Sequence, residues 1–168
     1  MKSIFKLFVA AFLTVAPLTA TAQSNVAHIN VQQLISEMPE VIAAQNELAK
    51  LEKDYTTQID NAFKEFQTKA QSYSSDAANQ TDVTNQARQK ELESMQTNLQ
   101  EFRDSAAQEL QKKQMDLMTP VLEKARNAIT KVGEEQGFNY VIDSSPNGGI
   151  ILANGKDLLA DVKKELGF

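Results

Sequence analysis

Between Glu40 and Met118 the chain contains neither a glycine nor a proline. A stretch of that length without either helix breaker leaves little room for any structure but long helix. Its residues are mostly Ala, Leu, Glu, Gln, Lys and Asn, with polar Ser and Thr between them. The apolar positions carry the helical period. Leu48, Leu51, Tyr55, Ile59, Ala62, Phe66, Ala70 and Tyr73 follow one another at steps of three and four. This is an eleven-residue repeat, which keeps one narrow stripe in line with little left-handed supercoil. A second stripe, Leu92, Met95, Leu99, Phe102, Ala106 and Leu110, is closer to a heptad seam.

Between the stripes, Ser72 to Asp82 reads SYSSDAANQTD, which is polar and poor in helix formers. Thr81 or Asp82 suits the cap of a new helix. The pattern predicts a turn near Asp76–Gln80 and an antiparallel hairpin with arms about 50 Å long. One continuous helix with a weak spot is the alternative. Two helices alone cannot shield both sides of Phe63, Phe66, Tyr73 and Phe102. A partner helix, an identical subunit or a bound client is expected to cover them.

The two ends read differently. The first 22 residues have a basic start (Lys2, Lys6), an apolar run from Leu7 to Val15 and a small-residue site, Ala20-Thr21-Ala22. That is the pattern of a secretory signal peptide cleaved after Ala22. The apolar run is too short to span a bilayer. Removal leaves 146 residues with 15 basic and 22 acidic side chains, a net charge of −7. Val26–Asn30 reads as a strand, Val31 to Glu37 as one or two helical turns, and Pro39 as the first turn of the next helix. Pro120 is expected to kink or restart the returning helix, which then continues to Gly137. Strands are expected at Phe138–Asp143 and Gly149–Ala153, separated by the SSPNG turn, and a last amphipathic helix at Lys156–Leu166. The fold class is α+β, mostly α. A small β-body built from residues 23–38 and 119–168 carries a helical arm, residues 39–118, with its tip near 76–82. Three short strands make a poor core alone, so oligomerisation is expected to complete the sheet. Val26, Ile29, Val141, Ile142, Ile150 and Leu152 are the candidates for that subunit contact, and Pro39 and Pro120 for hinges between arm and body.

Several chemistries are excluded by composition. There is no cysteine, hence no disulfide and no thiolate site, and His28 is the lone histidine. It is expected in a structural or solvent-facing role. The acidic balance argues against nucleic-acid binding. Gly149 and Gly155-Lys156 resemble a phosphate loop only superficially. Five residues separate the glycines instead of four, and Asp157 stands where Ser or Thr is required. Glu134-Glu135 sits beside Lys131 at a helix end, which suits a solvated face. No metal site and no enzyme constellation emerges.

The order of parts, with Val26–Asn30, the segment Thr119-Pro120-Val121-Leu122-Glu123-Lys124, and GFNYVIDSSPNGGIILANGKDLLADVKKELG, resembles the Skp/OmpH family of periplasmic chaperones. The resemblance covers essentially the whole mature chain. It implies a homotrimer in which strands of three subunits build a small body and three helical hairpins enclose a cavity. It implies a periplasmic holdase, without ATP or cofactor, whose partners are unfolded outer-membrane proteins. Phe63, Phe66, Tyr73, Met95 and Phe102 are then candidates for client contact, if the hairpin seam faces the cavity. Asn79-Gln80-Thr81 matches a glycosylation sequon that has no use in a bacterial periplasm. Two departures stand out. Asp157-Leu158-Leu159 lacks the Thr that commonly caps the last helix in the family, leaving Asp157 or Asn154 to cap it. The arm carries nine Lys/Arg against fourteen Asp/Glu, whereas the best-known relatives are basic, so no lipid site is carried over. The alternative from another class is a structural coiled-coil adaptor bridging envelope components.

Overall fold

The computed structural model describes residues 25–168; the expected signal peptide lies outside them. The elements run β1 (Val26–Ile29), α1 (Val31–Glu37), α2 (Pro39–Asp76), a single 3-10 turn (Ala77–Asn79), α3 (Asp82–Glu135), β2 (Tyr140–Asp143), β3 (Lys156–Asp157) and α4 (Leu159–Leu166). Pro39 occupies the first turn of α2, where its missing N–H costs no helical bond. α2 and the first two-thirds of α3 lie antiparallel. The break falls where the sequence turns polar, and the Thr81 hydroxyl caps α3 by accepting from the Thr84 N–H. Every residue of the two apolar stripes is half-buried or buried, with mostly exposed residues between them.

β1 is the centre strand of a three-stranded sheet ordered β2-β1-β3, and both neighbours run parallel to it. Val26 pairs with Tyr140 and Ile29 with Asp143; Ala27 pairs with Lys156 and His28 with Asp157. Ala27 and Ile29 point into a core that also holds Leu34, Met38, Val41, Val121, Ala125, Ala128, Val132, Leu158 and Val162. The core thus draws on both ends of the chain. α1 ties them together at its N-terminus. The Val31, Gln32 and Gln33 N–H groups donate to Asp143 Oδ1, Ser145 Oγ and Asn30 Oδ1 at 3.2, 3.0 and 2.9 Å. Three side chains, two of them more than a hundred residues away, satisfy donors that a helix start leaves open.

Three expectations are corrected. Gly149–Ala153 is not a strand. The chain leaves β2 through a turn in which a Cβ on Gly148 would lie 2.4 Å from the Asp143 carbonyl oxygen. It then runs in irregular conformation, with Ile150, Ile151 and Leu152 exposed. β-branched content favours a strand only where a pleated, half-buried surface receives it, and within one chain none reaches these residues. The third strand is Lys156–Asp157 instead, so the last helix starts at Leu159, not Lys156. Its first N–H is satisfied by Asp157 Oδ1 at 2.9 Å, the role expected of either Asp157 or Asn154. Nor does Pro120 restart the returning helix, because α3 runs from Asp82 to Glu135 with Pro120 inside it. A proline inside a helix costs about 3 kcal/mol. Burial of Val121, Ala125, Ala128 and Val132 just beyond it offsets that cost.

Candidate functional site

Polar pairs cross the hairpin along its length. From body to tip, Lys124 donates to Glu40, Lys113 pairs with Glu47 at 2.7 Å, and the Tyr55 hydroxyl donates to Glu109. Lys69 pairs with Glu91 at 2.5 Å, and Arg88 with Asp76 at 3.0 Å. Such exposed pairs fix register more than they stabilise. Apolar burial between the arms is thin: beyond Val41 and Ala44 at the base, only Leu99 and Ala106 are buried. The seam is a single row of side chains, and it leaves grooves on both of its sides.

Leu99 is the wall the two grooves share. On one side Phe63, Phe66, Gln96, Thr97, Gln100 and Arg103 join it around a recess of about 500 Å³. The Phe63 and Phe66 rings lie nearly parallel there, 6.4 Å apart, and Phe63 is 39% exposed. On the other side Ala62, Glu65, Met95, Asn98 and Phe102 line a recess of about 290 Å³. Phe102 meets Tyr55 edge-on at 6.0 Å, the favoured geometry for an aromatic pair. Two helices have two open flanks, and a stripe one residue wide closes neither.

The candidate residues for client contact therefore do not form one patch. Phe63 and Phe66 open to one flank of the hairpin, Met95 and Phe102 to the other. Tyr73 belongs to the tip, where its hydroxyl donates to Glu91 Oε2 at 2.7 Å and Arg88 lies over its ring at 4.7 Å. The bond to Glu91 holds the Tyr73 phenol above its ordinary range. In turn Lys69, and after it Tyr73, keep the Glu91 carboxyl below the usual carboxylate range, as Arg88 does for Asp76. The tip closes on itself further through Asn85 Nδ2, which donates to the Ala77 carbonyl at 2.9 Å.

The body presents a second apolar face. Across the pleat from the core, Val26 and His28 of β1 stand beside Tyr140 and Ile142 of β2, their register partners. Tyr140 is 64% exposed, and Ile150, Ile151 and Leu152, in the connection from β2 to β3, are exposed as well. Of the residues expected at a subunit contact, Val26, Ile142, Ile150 and Leu152 are accessible, whereas Ile29 is buried in the core and Val141 packs against it. His28 Nδ1 lies 3.2 Å from Ser144 Oγ and faces no second histidine. Among the described residues, no three His, Asp or Glu side chains are placed to hold a metal ion. No described helix is long and apolar enough to cross a membrane.

The aromatic flank at Phe63 and Phe66 was legible as composition. The residue the sequence reasoning missed is Arg103, whose place beside those rings depends on the register of two helices. Set against known proteins, the chain matches the family described as Outer membrane protein (OmpH-like) over residues 25–166. It is 25% identical over 159 residues to "Chaperone protein Skp" of Yersinia enterocolitica, covering 92% of this chain and 93% of that one. It is 20% identical over 151 residues to the protein of the same name from Pectobacterium atrosepticum, covering 90% of each. A putative OmpH-like outer membrane chaperone from Caulobacter crescentus superimposes with a TM-score of 0.77 at 13% identity, over 86% of this chain and 85% of that one.

Proposed function

Because this chain belongs to the OmpH-like outer membrane protein family, we propose that it is a periplasmic chaperone of the holdase type, exported by its N-terminal segment. It binds unfolded outer-membrane proteins between helical arms and keeps them from aggregating, without ATP or another cofactor. The observation that carries this reading is the hairpin seam. It is one side chain wide, so one flank offers Phe63 and Phe66 and the other Met95 and Phe102, each beside a polar rim. Weak, adaptable apolar contact of this kind suits a client without fixed structure. The tip supports a holdase over an adaptor, since its polar groups bond to one another. Three such arms around one body would multiply contacts through high local concentration. The body's uncovered sheet face supports a homotrimer, in which a neighbouring subunit meets Val26, Tyr140, Ile142 and the Ile150–Leu152 segment. The domain reading follows: residues 23–38 and 119–168 form the trimerising body, and 39–118 the arm, with Pro39 and Pro120 where it bends.

The test is aggregation of a urea-denatured outer-membrane barrel diluted into buffer with the mature protein. Light scattering of the barrel should be suppressed. Phe63→Ser, Phe66→Ser and Phe102→Ser together should weaken suppression while the body, which does not use these residues, keeps its oligomeric state. Normal suppression by a helical triple variant contradicts apolar capture. So does loss of binding by the parent at moderate salt, since only charge–charge contacts are screened there.

A further inference from the structure

The two flanks of the seam differ in charge. The Phe63/Phe66 groove has one ionic side chain in its wall, Arg103, and no carboxylate. Arg103 makes no ion pair within 4.0 Å among the described residues, and positions 99, 100, 106 and 107, its helical neighbours, carry no acid. Asp104 stands outside the wall, engaged by Gln100 Nε2 at 3.0 Å. The opposite groove carries Glu65 and no cation, and Lys69, one turn on, already counters it at 4.0 Å. A further groove of the arm, around Leu51 and Tyr55, mixes Lys50, Lys112 and Lys113 with four carboxylates. In an arm with a net charge of −5, the Phe63/Phe66 groove is therefore a recess where an apolar wall meets a guanidinium that no described carboxylate pairs with within 4.0 Å.

Resting on the holdase reading above, we propose that this groove selects client segments in which an aromatic side chain stands one or two residues from a carboxylate. The recess of about 500 Å³ admits a phenyl or phenol ring against Phe63, Phe66 and Leu99, where offset or edge stacking is favourable. In an extended segment the next side chains follow at about 3.3 Å per residue, within the sweep of a long arginine. The planar guanidinium takes a carboxylate with two parallel N–H bonds, which a lysine cannot match. Elsewhere the acidic arm repels such a segment, so selection is local to this level of the hairpin.

The test uses the mature, ¹⁵N-labelled protein and three capped peptides: Gly-Phe-Gly-Asp-Gly, the same with Asn for Asp, and the same with Leu for Phe. Chemical-shift titration should place the Phe/Asp peptide at residues 96–103. It should bind about threefold tighter than the Asn peptide, the scale of one exposed ion pair, and tighter than the Leu peptide. Arg103→Gln, checked for unchanged helicity, should abolish the Asp-over-Asn preference. Equal affinity for the Asp and Asn peptides in the parent overturns the proposal. So does a preference that survives in Arg103→Gln, or shifts that appear in the body instead of the groove. Failure of the parent to suppress barrel aggregation strikes the holdase reading instead, and the peptide ranking still decides what the groove selects.

Discussion

Single residues decide how closely the parts of the body meet. Gly133 lies near the end of α3, and a Cβ there would lie 2.8 Å from Val141 Cγ2 on β2. Gly155 does the same for β3: a Cβ would meet the Val26 carbonyl oxygen at 2.8 Å. Helix propensity alone makes Gly133→Ala favourable by about 1 kcal/mol. Overpacking a fixed strand costs about 1–3 kcal/mol and outweighs it, so the variant should be destabilised by about 1 kcal/mol, read as a lower midpoint in urea unfolding. Adding Val141→Ala should recover part of the loss, because the clash is with that methyl. If Gly133→Ala raises the midpoint, the strand yields more easily than its neighbours suggest. Asp143 shows another residue-scale balance. Burial raises its pKa, but bonds from the Ser145 side chain and backbone and from the Val31 N–H lower it by more, so it stays ionised while it caps α1.

The helices were the most legible elements, and the reason is their surroundings. Leu48 through Tyr73 stand at steps of three and four among polar residues, so the period is visible without any knowledge of the partner. The tip was legible for the same reason: Ser72 to Asp82 offers caps and no stripe. Of the two outcomes expected at Pro120, a restart does not occur, because proline reports only the local backbone, while Val121, Ala125, Ala128 and Val132 are held by the body. Ile150–Leu152 misled in the opposite way, since strand-like composition expresses a need for burial that this chain alone does not meet. The polarity of the two grooves was not legible, because Arg103 and Phe63 are brought side by side only by the hairpin register. The tip network also sets an element-scale pH dependence. Asp76 and Glu91 have lowered pKa values from Arg88 and Lys69 respectively. A group depressed on folding stabilises above its unfolded pKa and loses that contribution as pH falls through its folded value. The tip should therefore be intact at neutral pH and loosen below about pH 4, the ordinary carboxylate range. Tyr73 ring resonances should move toward random-coil positions there before those of the body change, and Asp76→Asn should blunt the transition. A tip unchanged between pH 7 and pH 3 contradicts the lock.

At the scale of the whole molecule, arm and body differ in what holds them. The body has a shared core; the arm has a row of apolar side chains and a ladder of exposed pairs. Hydrogen exchange should therefore be fast in the arm, fastest near residues 74 to 82, and slow in β1 and β2. Light scattering of the mature protein should give about three subunits, with the exposed sheet face covered. A stable monomer at micromolar concentration sinks the trimer. The central position of β1 has a further consequence, for the order in which the molecule comes together. Both of its partners, Tyr140–Asp143 and Lys156–Asp157, lie more than a hundred residues later. A chain delivered N-terminus first across a membrane presents β1 earliest, yet that strand has nothing to pair with until almost the entire chain has emerged. The contacts of the hairpin start short, with Arg88 and Asp76 twelve residues apart, and lengthen to the 84 residues between Glu40 and Lys124. Zipping from the turn would bring the distant ends together in short steps instead of one long loop closure. Assembly of the body is thereby delayed until the chain is complete, and an interrupted chain keeps its first strand unpaired.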